Sequence, residues 1–145
     1  MRKLFLFFAL TVGLFASAST LQAQTVNMSS YITLTVKSGA VIKLDFKAAA
    51  DGTPVRIVSG SNTQDITVDT NWYNDNTQST FTVTADGTEM KVYGDLTGFS
   101  CGENFGNLTA LDASNNKSLE KLYCSENRLS SLNISKNRAL DTLSC

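Results

Sequence analysis

Three cysteines, Cys101, Cys124 and Cys145, are the residues most able to do chemistry in this 145-residue chain. Thiols of an exported protein can close a disulfide and leave one thiol over, or ligate zinc. Other chemistry is poorly supplied. The chain has no His, so it lacks the commonest general acid/base and the commonest transition-metal ligand. Serines are plentiful, but without His the usual nucleophilic triad is excluded, and no Ser-Lys motif stands in for it. Neither a Gly-rich phosphate loop nor a Cys-x-x-Cys pair occurs. Asn74-Asp75-Asn76 carries calcium-type ligands but lacks the rest of a binding loop, and reads as a turn. Asp51-Gly52 and Asp86-Gly87 are turn chemistry as well. No enzyme activity, metal or other cofactor is expected.

The elements that position the cysteines follow from hydrophobic spacing. Apolar residues recur in the second half at Leu108, Leu111, Leu119, Leu122, Leu129, Leu132, Leu140 and Leu143. Leu111 to Leu132, Asn116 to Asn137, Leu119 to Leu140, Leu122 to Leu143 and Cys124 to Cys145 are all separated by 21 residues. A fixed period of that length is the signature of a solenoid. A shorter pattern sits inside it. Leu108 to Asn116 reads Leu-x-x-Leu-x-Ala-Ser-x-Asn, and recurs as Leu119 to Asn127 with Cys124 and as Leu129 to Asn137 with Ile134. An earlier copy, Leu96 to Asn104, carries Phe99 and Cys101, and its spacing of 23 to the next equivalent implies a short insertion around Phe105-Gly106-Asn107.

Leu119-Glu120-Lys121-Leu122-Tyr123-Cys124-Ser125-Glu126-Asn127-Arg128-Leu129 fits the leucine-rich-repeat pattern L-x-x-L-x-L/C-x-x-N-x-L at every defined position. With the period, it resembles the cysteine-containing repeats of bacterial surface proteins such as the cysteine-type internalins. The resemblance covers Leu96 to Cys145. It implies coils whose Leu and Cys positions point inward and stack on the next coil, while the intervening positions face solvent. Asn104, Asn116, Asn127 and Asn137 follow the strands, where a short amide can satisfy turn backbone groups. All three Cys occupy one inward repeat position, so Cys101, Cys124 and Cys145 are expected as a ladder of reduced, buried thiols. A disulfide and a zinc site are the alternatives.

The first half has period two. Ile32, Leu34 and Val36 alternate with Tyr31, Thr33 and Thr35, and after Ser38-Gly39 the alternation resumes at Ile42, Leu44 and Phe46, which predicts a hairpin with one apolar face. Further runs at Val55 to Val58, around Ile66 and Val68, and at Phe81 to Thr84 are separated by turn residues, with Trp72 as a core or edge-covering aromatic. The expected fold is mainly β: a small antiparallel sheet or sandwich cap, residues 24–89, followed by a leucine-rich-repeat solenoid with parallel strands, residues 90–145.

Residues 1–23 have the anatomy of a secretory signal peptide: Met1-Arg2-Lys3, an apolar run from Leu4 to Phe15, and cleavage after Ala18 or, with a more conventional spacer, Ala23. The run is too short for a spanning helix, which needs roughly 20 apolar residues. Its removal takes two of the 12 basic residues and none of the 13 acidic ones, so the remainder is mildly acidic and nucleic acid is an unsuitable partner. The chain is expected at the cell surface or secreted, binding a protein or glycoconjugate, in adhesion to a host. The rival reading is a structural spacer, with an enzyme a distant third. Ser100, Lys121, Tyr123 and Thr142, outward positions of the Cys-bearing strands, are the contact candidates. Because Leu140 to Cys145 repeats Leu119 to Cys124 and then stops, further repeats are expected to follow in a longer protein.

Overall fold

Alternating apolar and polar residues need a strand with one buried face, and the first half supplies five such runs before any repeat begins. A computed structural model of the protein describes residues 24–72 and 81–145. The signal-peptide region and Asn74-Asp75-Asn76 lie outside the described residues. Eleven strands and no α-helix are found among those described: β1 (Tyr31–Val36), β2 (Val41–Ala48), β3 (Thr53–Ser59), β4 (Asn62–Val68), β5 (Phe81–Thr84), β6 (Glu89–Tyr93), β7 (Leu96–Ser100), β8 (Leu108–Asp112), β9 (Lys121–Tyr123), β10 (Ser131–Asn133) and β11 (Thr142–Ser144).

The strands form two mixed sheets. One has six strands in the order β10-β8-β1-β6-β3-β4, the other five in the order β11-β9-β7-β2-β5. Their inward residues, among them Ile32, Leu34, Ile42, Leu44, Phe46, Ile57, Met90, Phe99, Leu111 and Leu122, make one buried cluster. Phe46 anchors it, touching Phe81 at 5.8 Å and Phe99 at 5.9 Å between ring centroids.

β1 and β2 are not the hairpin their shared alternation predicts. β1 pairs with β6 and β8, β2 with β5 and β7, so the turn at Ser38-Gly39 carries the chain from one sheet to the other. The physical reason is that two strands with apolar faces satisfy the same pattern whether they lie side by side or face each other across a core. β3 and β4 do form a hairpin, in register from Thr53↔Val68 to Ser59↔Asn62. Its turn requires Gly60, which has φ +56° and lies where a Cβ would meet the Asp86 carbonyl oxygen at 2.1 Å. β6 (Glu89–Tyr93) is a strand beyond the five expected runs. The expected boundary between residues 89 and 90 falls inside it, and since Ile32↔Val92 and Ile57↔Val92 pair, β6 belongs with the N-terminal strands.

The repeating half is built onto both sheets. Successive short repeats go to opposite sheets: β8 and β10 extend the six-stranded sheet, while β7, β9 and β11 extend the other. Each step of 21 residues is therefore a parallel neighbour, with Leu111↔Leu132 in one ladder and Leu122↔Leu143 in the other. β7 and β9 are parallel too, with Phe99↔Leu122. Antiparallel pairs β1 with β8 and β2 with β7 join these ladders to the first half. Leu108, Leu111, Ala113, Leu119 and Leu122 are buried, whereas Leu143 on the last strand is 46% exposed.

Candidate binding face of the five-stranded sheet

Strand register decides which outward side chains are neighbours. In the five-stranded sheet Gly98 lies opposite Lys47, Lys121 opposite Gly98, and Thr142 opposite Lys121. Two residues along, Asp45, Ser100, Tyr123 and Ser144 form the adjacent row. All four contact candidates, Ser100, Lys121, Tyr123 and Thr142, therefore sit together on one face, each half-buried among its neighbours. The 21-residue period accounts for Lys121 and Thr142. Lys47 and Asp45 join them only through the antiparallel β2–β7 pairing, which no spacing in the sequence signals.

Trp72 completes the face. Its ring stands edge-on to that of Tyr123, with centroids 5.5 Å apart and planes at 61°. The indole lies over Gly98, where a Cβ would meet it at 2.7 Å. Any side chain there would push the ring off the strand. Trp72 follows β4 and reaches the sheet from outside, so it covers the five-stranded sheet rather than filling the core between the sheets. No described side chain forms an ion pair with Lys47 or Lys121, the described pairs being Lys43–Glu103, Arg56–Asp65 and Lys91–Glu89. Ser144 shares a hydroxyl contact of 2.9 Å with Ser125, and Thr142 donates to Asp141 at 2.8 Å.

Beneath this face the cysteine column departs from expectation. Cys101 is a buried free thiol, whose surroundings push its pKa up to about 12 by desolvation. Cys124 and Cys145 are joined as a disulfide. The expected run of three reduced thiols is corrected accordingly. The two bonded residues follow directly on paired parallel strands, and their Cα atoms are 4.6 Å apart, within bridging reach.

The asparagines divide. Asn104 Nδ2 donates to the carbonyls of Cys101 at 2.8 Å and Lys43 at 3.0 Å, while its Oδ1 accepts from the Lys43 backbone N–H at 2.8 Å. Asn127 Nδ2 bridges the carbonyls of Cys101 and Cys124 at 2.8 and 3.0 Å, and Asn137 Nδ2 donates to those of Ala113 and Asn116. Asn116 is the correction: it is fully buried, yet its own side-chain amide finds no partner among the described residues. Only its backbone joins the ladder, donating to Ala113 and accepting from Asn137.

Groups able to do chemistry elsewhere serve the turns. Asp51 accepts from the Thr70 backbone and hydroxyl, and Asp86 from the Ser61 hydroxyl and backbone, which holds both carboxyls below their ordinary range. Among the described residues no group of three His, Cys, Asp or Glu side chains could hold a metal ion. A groove of about 720 Å³ between residues 24–28 and the β3–β4 hairpin is lined by Val26, Met28, Pro54 and Ile66, with the Arg56–Asp65 pair at its side. It contains no nucleophile–base pair. No helix among the described residues is long and apolar enough to cross a membrane.

The fold and face describe a mainly β protein with a two-row polar and aromatic surface. Comparison with protein-family models, curated proteins and solved structures finds no match to the chain.

Proposed function

We propose that this is an exported surface protein of the leucine-rich-repeat type that binds a protein or glycoconjugate partner through the outer face of its five-stranded sheet. The observation that carries the reading is the convergence of Ser100, Lys121, Tyr123 and Thr142, with Trp72, in two adjacent rows. A repeat architecture displays equivalent outward positions of successive coils as one extended surface. Parallel pairing of strands 21 residues apart supports the solenoid reading, and Cys101, Leu119, Leu122 and Cys124, buried behind the face, occupy positions the repeat pattern assigns to a core. The apolar run at residues 4–15 supports export.

The test is a pull-down from host extracts together with a glycan array, using the full chain and a Lys121→Ala/Tyr123→Ala variant. A partner captured by the parent and lost by a variant of unchanged melting temperature is the expected result. Capture of the same partner by both, or of none by either, would favour the spacer role.

A further inference from the structure

We infer that the Trp72–Tyr123 pair is a stacking platform for a pyranose ring of a neutral oligosaccharide. The inference rests on the binding role just proposed and names the ligand class for that same face. A pyranose presents a weakly apolar C–H face with hydroxyls around its rim. Its complement is an aromatic body ringed by short polar groups. The face has this composition: two half-buried rings at 61° to each other, the Ser100 and Ser144 hydroxyls in the Tyr123 row, and Lys47 and Lys121 in the row across Gly98.

Apart from the two rings, the rows carry none of the aliphatic side chains that fill the apolar centre of a protein interface. The large exposed apolar side chains of the described residues are Met28, Val41, Phe105 and Leu143, and none of them lies in the two rows. Trp72 is also held in place beforehand. Gly98 beneath it and Tyr123 beside it fix the indole on a flat strand face, so little ordering is left for a ligand to impose.

Trp72 is the single tryptophan of the chain, so its fluorescence reports the platform alone. The full chain is titrated with maltohexaose, cellohexaose and chitohexaose while Trp72 emission and acrylamide quenching are followed. At least one sugar is expected to saturate, to change the emission and to shield the indole from quencher. Tyr123→Ala should weaken that sugar at least tenfold, and Lys121→Met should weaken it less, with both variants keeping the parent circular dichroism. Failure of all three sugars to bind at millimolar concentration overturns the proposal, as does binding that leaves Trp72 emission unchanged or survives Tyr123→Ala undiminished. If the pull-down partner is still lost on Lys121→Ala/Tyr123→Ala when no sugar binds, the wider binding role stands and the sugar platform falls.

Discussion

Trp72 and Gly98 are locked together: an atom added at the glycine Cα would sit 2.7 Å from the terminal carbon of the indole. Gly98→Ala is therefore expected to lift the ring from the strand. Such overpacking costs about 1–3 kcal/mol, and the displaced indole should emit at longer wavelength. Urea unfolding followed by Trp72 emission measures both effects. An alanine variant with parent stability and parent emission would mean that the ring is not seated on this strand.

The cysteine arrangement predicts a thiol count. Denatured, unreduced protein should expose one reactive thiol, that of Cys101, because Cys124 and Cys145 are joined. In the native state even that thiol should resist alkylation at pH 8, since it is buried and its pKa is pushed up to about 12. Three thiols in the denatured count, or rapid native labelling, would contradict the assignment.

The asparagines should separate on mutation. Asn127→Ala removes two hydrogen bonds, taking this donor from the Cys124 carbonyl while the Cys101 carbonyl keeps Asn104, at a cost of about 1–3 kcal/mol. Asn116→Ala removes a buried amide that makes no side-chain bond, so its destabilisation should be smaller. Equal losses in a pair of denaturation curves would show that Asn116 is bonded after all.

Acid stability should depend on Asp51 and Asp86. Each carboxyl is held below its unfolded value, Asp51 chiefly by the Thr70 backbone N–H and Asp86 chiefly by the Ser61 hydroxyl. A depressed folded pKa contributes stability that is present above the unfolded pKa of roughly 3.9 and is lost as pH falls through the folded value. Asp51→Asn/Asp86→Asn should thus melt lower than the parent at neutral pH, and the gap should close in strong acid. A gap constant from pH 7 to pH 2 would rule this out.

How much of this was legible in the residues depends on what kind of pairing each feature needs. Alternation located β1 to β5, because a half-buried strand writes its own pattern. It could not say that β1 and β2 face each other across the core, since Ile32, Leu34, Ile42 and Leu44 point inward in either arrangement. The repeat spacing anticipated Leu111 beside Leu132 and Leu122 beside Leu143, because in a parallel ladder the period is itself the register. That Lys47 and Asp45 of β2 lie across β7 from Lys121 and Tyr123 depends on an antiparallel junction with no periodic trace, and nothing in the spacing places Trp72 over Gly98. Asn116 kept its place in the column, but the sequence could not tell its side chain from the bonded ones of Asn127 and Asn137.

The link between Cys124 and Cys145 also sets how the chain carries load. Tension entering at Cys145 passes through sulfur directly to Cys124 at the end of β9, bypassing β10 and β11. The 21 steps of chain enclosed by the bond, roughly 70 Å when fully extended, stay slack under force while the disulfide is intact. Reduction would release that length, turning the segment between the two cysteines into an extensible tether.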